Sequence, residues 1–159
     1  MWAIKGTTPI LPIHGSRERL NVIGAIDPIN DQGFFAYIEN LNAKNFEDFL
    51  RGITARFPGS GKLYLILDNS RAHHANSLNP FLSSVQDKLE LVFLPPYSPD
   101  LSEIEELWRE IKREVVYNTF YESFEEFKGA LTSALRRARD SNGKIKNLCN
   151  FEKYIKVEG

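Results

Sequence analysis

The spacing of apolar and polar positions changes period several times along the chain. Leu20-Asn21-Val22-Ile23-Gly24-Ala25-Ile26 is a compact apolar run, as buried strands show, and Asp27 to Gly33 after it is built of turn residues. Phe34-Phe35-Ala36-Tyr37-Ile38 is aromatic and apolar, which predicts an antiparallel partner for that strand. From Asn42 the period becomes helical, with Phe46, Phe49, Leu50, Ile53 and Phe57 on one face, Asn42 as the cap and Pro58-Gly59-Ser60-Gly61 as the stop. Leu63-Tyr64-Leu65-Ile66-Leu67 is the most apolar strand, predicted to be central and covered on both faces. A short helix around Pro80–Gln86 leads to a further strand, Leu89 to Leu94.

After Pro95-Pro96-Tyr97-Ser98-Pro99 a long helix is predicted from Asp100 or Leu101, interrupted over Tyr117–Tyr121. Ser123-Phe124-Glu125-Glu126 matches a capping box and opens a second helix, which runs to Arg136-Arg137-Ala138-Arg139 and ends at Ser141-Asn142-Gly143. Residues 1–15 read as a loop with one extended piece at Pro9–Ile13, and the tail with Phe151, Tyr154 and Ile155 is expected to pack back onto the domain. The order implies an α/β fold, a mixed sheet with helices on it. All 159 residues are read as a single domain.

Composition narrows the class. At 42% hydrophobic and 26% charged residues the chain is neither disordered nor fibrous. One cysteine, Cys149, excludes an internal disulfide and a multi-cysteine metal site and suits a reducing cytosol. No apolar run approaches the roughly 20 residues of a membrane helix, and the N-terminus lacks a signal-peptide pattern. The formal net charge of −1 offers no global attraction to nucleic acid, so DNA binding would rest on local basic patches or metal ions.

Candidate chemistry begins with Asp68, which follows five apolar residues and so should emerge at the carboxyl edge of a buried strand, where open α/β sheets bind ligands. It serves there either as a functional acid or as the acceptor of an Asx turn. On the following helix Leu101, Ile104, Leu107, Trp108, Ile111 and Val115 form a buried stripe at roughly 100° per residue. Glu106, Glu110 and Glu114 point outward, while Glu103 and Glu105 flank the stripe; phase favours Glu105, which shares its flank with Trp108, and leaves Glu103 open. Two carboxylates from separate elements suit a hard divalent cation and, with further ligands, two-metal phosphoryl transfer. Lys112 with Arg113, and Arg136 with Arg137 and Arg139, are phosphate-contact candidates or plain solubilising charges.

Asp68-Asn69-Ser70-Arg71-Ala72-His73, the run from Phe93 through Pro95-Pro96-Tyr97-Ser98-Pro99 to Glu103-Ile104-Glu105, and Trp108 together resemble the core signature of mariner-like insertion-sequence DDE transposases, the DDE superfamily endonucleases. Asn21 to Ile26 with Gly33, and Trp2 with Lys5-Gly6, extend the resemblance over roughly residues 2 to 130. It implies an RNase H-like (retroviral-integrase-like) fold, Mg²⁺ or Mn²⁺ as cofactor, and cutting and rejoining of DNA at transposon ends. By the match Asp68 is the second triad acid and Glu105 the third, both catalytic and metal-binding. Asn69, His73, Lys112 and Arg113 are the candidates for DNA contact, with His73 alternatively orienting a carboxylate.

The chain departs from the family at Ser102-Glu103, where Asn-Pro is usual, and at its start. The strand carrying the family's first Asp would lie upstream of Trp2, so the reading is a C-terminal catalytic part, N-terminally truncated and without helix-turn-helix domains. Asp27 is the spare acid, either a surrogate for that Asp or a turn residue. The expected function is a DNA transposase catalytic domain, incomplete and weakly active or inactive alone, in the prokaryotic cytosol or nucleoid. Its partners would be transposon-end and target DNA and an upstream-encoded part. The alternative is a non-catalytic remnant acting as a binding or homodimerisation module, because a lost first strand would leave a sheet edge unpaired. A metal-dependent nuclease of similar fold is the third reading.

Overall fold

The structure, a computed structural model, describes residues 2–5, 18–57, 59–96, 103–117, 119–140 and 143–148. Strands β1 (Trp2–Lys5), β2 (Asn21–Asp27), β3 (Gln32–Ile38), β4 (Leu63–Leu67) and β5 (Leu89–Phe93) form one sheet in the order β3-β2-β1-β4-β5. Helices α1 (Ala43–Arg56), α2 (Asn79–Ser84), α3 (Ile104–Val115), α4 (Phe124–Arg139) and α5 (Lys144–Leu148) complete the described chain. β2 pairs antiparallel with both β1 and β3, whereas β4 runs parallel to β1 and β5.

The predicted hairpin forms as an unbroken ladder from Asn21↔Ile38 to Asp27↔Gln32. The Asp27 carboxylate closes its turn, accepting from the backbone N–H groups of Ile29 (3.1 Å) and Asn30 (3.2 Å) and from the Asn30 side-chain amide (2.6 Å). Asp31 completes the turn at φ 53°, a left-handed position that Asp tolerates better than most residues. Its carboxylate then reaches across the chain to accept from the backbone N–H groups of Gly143 and Lys146, which pins α5 beside the turn.

The reading of residues 1–15 as loop needs correction. Trp2–Lys5 is a strand, and it holds the middle of the sheet between β2 and β4. Four residues are too few to carry a readable period; their pairing to strands on both sides is what defines them. The edges of the sheet are β3 and β5. The described sheet is continuous, with β1 filling its middle, so it offers no support for an edge left unpaired by a lost first strand. The Pro9–Ile13 segment and the tail with Phe151, Tyr154 and Ile155 lie outside the described residues.

Each face of the sheet has its own core. On one, Ile23 and Ala25 of β2 and Leu63, Leu65 and Leu67 of β4 lie under α1. Helix α1 begins as predicted, with the Asn42 side chain accepting from the Asn45 N–H at 2.8 Å. On the other face Val22 and Ile26 pack against the stripes of α3 and α4. Gly24 shares that face, and a Cβ there would come within 2.8 Å of Trp108 and 2.7 Å of Phe35, so only glycine lets the indole lie on the backbone.

Helix α4 carries the expected cap, Glu126 N–H to Ser123 Oγ at 3.2 Å, while the Glu126 carboxylate reaches one residue further back, to the Glu122 N–H. The described part of the preceding helix starts at Ile104; the expected start at Asp100 or Leu101 lies outside the described residues. The prediction that β4 is covered on both faces is also corrected. Tyr64 is 41% exposed and Val92 of β5 40%, because α3 and α4 pack over β2 and β3 and leave this half of their face open.

Candidate active site

Asp68 follows the last residue of β4, where the parallel pairing with β5 extends one step further through Leu94 N–H to Leu67 O (2.8 Å). The chain then folds into a 3-10 turn at Arg71–His74. Asp68 Oδ1 accepts from the Ser70 N–H at 3.1 Å, the Asx turn foreseen in the sequence. The His73 ring nitrogen Nδ1 lies 3.0 Å from the same oxygen and 3.1 Å from the Asp68 carbonyl. Both neighbours are acceptors, so Nδ1 carries the proton. The two sequence readings of Asp68 are thus compatible: the turn and His73 hold one oxygen while the side chain stays 40% exposed.

His73 itself is fully buried, its ring 4.4 Å from that of Phe46. The ring is thus turned into the core, where it faces the Asp68 carboxylate. Asn69 is engaged as well: its amide donates to Leu94 O at 2.7 Å and its oxygen faces His74 Nε2 at 3.3 Å. His74 stacks on Phe93, with ring centroids 4.2 Å apart. Asn69 and His74 thereby clasp the Asp68 loop to the end of β5. In the sequence His74 has no motif support and reads as structural or exposed, and it is exposed here.

Register places the acids along the sheet. Ile26 and Ile66 lie level across Ile4, so Gly24 of β2 and Asp68 after β4 are each two positions nearer one edge. Trp108 lies on Gly24. Six residues later Glu114 pairs with Arg137 and Lys144, beside the segment that Asp31 ties to the opposite end. Helix α3 therefore runs away from the Asp68 edge. Glu105 precedes Trp108 by one turn, about 4.5 Å nearer that edge.

Glu105 is half-buried and Glu103, at the helix start, is 5% exposed, so burial alone does not choose between them. The Trp108 indole N–H is buried with no hydrogen-bond partner among the described residues.

The other candidates lie elsewhere. Lys112 and Arg113 sit in the last turn of α3, roughly 10 Å along the axis from Glu105, and Arg113 is paired with Glu110 at 2.8 Å. Asp27 is level with Leu65, three positions from Asp68 along the strands and two strands away, on the order of 14 Å, with its carboxylate occupied by the turn. Among the described residues no group of three or more His, Cys, Asp or Glu side chains is placed to hold a metal ion.

The model of a DDE superfamily endonuclease family matches residues 1–128. A protein of Sinorhizobium fredii, y4pE/y4sA, is 23% identical over 127 residues, 80% of this chain and 90% of its own length. The catalytic domain of Mos1 mariner transposase superposes with a TM-score of 0.75 at 13% identity, covering 94% of this chain and 76% of that one. The catalytic core of BIV integrase gives 0.62 at 17% identity, covering 99% and 95%. The fold is RNase H-like, as the motifs implied. The Mos1 domain is also known with raltegravir and Mn, and the Mos1 transposase in a paired-end complex with its left transposon end.

Proposed function

We propose, because this chain belongs to the DDE superfamily endonuclease family, that it is the catalytic domain of a DNA transposase in which Asp68 and Glu105 hold a divalent metal. The observation that carries this reading is the placement of the Asp68 loop and the Glu105 end of α3 at one end of the sheet. Two carboxylates and no thiolate make a hard, all-oxygen donor set suited to Mg²⁺ or Mn²⁺. When bound, such an ion activates the attacking hydroxyl and neutralises charge on the leaving oxygen. His73 keeps the Asp68 carboxylate in one orientation, and the Asn69–His74 clasp holds its loop against β5.

In cleavage, the oxygen of water bonds to phosphorus as the bond to the 3′ oxygen breaks, and that oxygen takes up a proton. In joining, the freed 3′-hydroxyl attacks a phosphorus of the target in the same way. Transposon-end and target DNA are the substrates on this reading, with a second copy and an upstream-encoded part as further partners. No helix among the described residues is long and apolar enough to cross a membrane; we place the protein beside DNA in the prokaryotic cytosol.

A second reading, a non-catalytic binding and dimerisation module, is favoured because no group of three or more His, Cys, Asp or Glu side chains among the described residues is placed to hold a metal ion. Titration of Mn²⁺ into the chain separates the two. The transposase reading, for a domain weakly active or inactive alone, expects saturable Mn²⁺ binding that Asp68→Asn and Glu105→Gln each abolish and Asp27→Asn spares, with little or no nicking of plasmid by the chain by itself. Plasmid nicking that survives Asp68→Asn would overturn the assignment, and the absence of Mn²⁺ binding in the wild type would favour the module.

A further inference from the structure

The edge strand β3 is flanked by cations from two helices that lie on opposite faces of the sheet. On the α4 side a cavity of about 150 Å³ is lined by Phe35, Tyr37, Thr132, Arg136 and Arg139, with the Tyr37 and Thr132 hydroxyls hydrogen-bonded at 2.7 Å. On the α1 side Arg56 lies with Gln32 of β3 along a cavity of about 330 Å³ that reaches on to Leu63 at the start of β4, where Lys62 is paired with Glu90. Asp140 is held below the usual carboxylate range by its hydrogen bond to Arg139, which binds both its oxygens, while Arg136 and Arg56 act on it only through space. Arg56 and Arg136 are exposed and make no ion pair among the described residues.

From this geometry we infer that the β3 edge is a second, non-catalytic contact for a DNA backbone, with Arg56, Arg136 and Arg139 on phosphates and Tyr37 and Thr132 at the end nearer the Asp68 edge. The inference rests on the transposase reading for its ligand but uses none of the site's acids. Guanidinium forks with neighbouring hydroxyls are suited to phosphate oxygens. Strand β3 lies three strands from β4, about 14 Å, a span that covers roughly four base pairs of a duplex. A second copy of this chain fits the edge poorly, because a two-fold contact would set the same arginines against each other.

The test is binding of a labelled duplex to the full chain in EDTA, followed by anisotropy as salt is raised. Each lost phosphate contact lowers the log–log salt slope by about 0.9, so Arg56→Gln with Arg136→Gln should lower it by about 1.8. Between about 50 and 200 mM salt the wild type should then lose roughly 12-fold more affinity than the double variant. A control of equal charge, Lys44→Gln with Lys88→Gln, should keep the wild-type slope. An unchanged slope in the arginine variant, or an equal fall in the control, would overturn the inference. So would a wild-type dimer that the arginine variant dissociates, which would give the edge to a second copy. A slope lowered by Lys112→Gln instead would move the contact to α3 while the DNA reading stands.

Discussion

Gly24→Ala is a small change at a place with no room for it. The added methyl would lie 2.7 Å from Phe35 Cδ1 and 2.8 Å from Trp108 Cζ2, roughly 1 Å inside the 3.5–4.0 Å of an optimal carbon contact. Phe35 is half-buried and has some freedom to swing, but Trp108 is 1% exposed and rests edge-on against Phe35 at 5.8 Å. Overpacking of this kind costs about 1–3 kcal/mol, of which roughly 0.5–1 kcal/mol is offset because alanine loses less backbone freedom than glycine on folding. A net loss of about 1–2 kcal/mol should lower the melting temperature by roughly 2–8 °C in a domain of this size.

The same push acts on the site, because Trp108 is one turn from Glu105 and lifts α3 as it moves. Urea unfolding followed by tryptophan fluorescence reads the first effect, and a Mn²⁺ titration the second. Adding Phe35→Leu should recover part of both losses by making room. Gly24→Ala with wild-type stability and metal affinity, or a Phe35→Leu partner that deepens the loss, would refute the close-packing account.

His73→Ala should weaken Mn²⁺ binding about 10–100-fold in calorimetry while circular dichroism keeps the native spectrum, because the ring orients Asp68 without being a ligand. Asp27→Ala should cost about 1–3 kcal/mol in urea unfolding by stripping the turn of its acceptor, and leave metal affinity unchanged in what still folds. A metal affinity lost with Asp27 would return that residue to the site. Asn42→Ala should destabilise by about 1 kcal/mol in thermal melts through loss of the α1 cap, with no change in DNA or metal binding.

Much of this fold could be read before it was seen, for physical reasons particular to each element. The stripe of Ile104, Leu107, Trp108, Ile111 and Val115 is buried as its phase required, and the hairpin of β2 and β3 follows from two apolar runs around a turn. The transposase motif around Asp68 and Glu105 agrees with the family model that spans residues 1–128. What escaped depends on contacts between distant residues. Trp2–Lys5 is a strand only because β2 and β4 pair with it, and Tyr64 is exposed because of where two later helices stop. The bond from Asn69 to Leu94 leaves no periodic trace in the sequence. Glu103 is buried although its helical phase put it with Glu110 and Glu114; it is the cap before the first helical residue, where phase no longer fixes the side chain.

The measurement that bears most directly on the central claim is a calorimetric titration of Mn²⁺ into the wild type, Asp68→Asn, Glu105→Gln and Glu103→Gln. The account predicts saturable binding in the wild type, lost in Asp68→Asn and in Glu105→Gln and kept in Glu103→Gln. Binding that survives both of the first two substitutions, or that disappears only with Glu103, would contradict it.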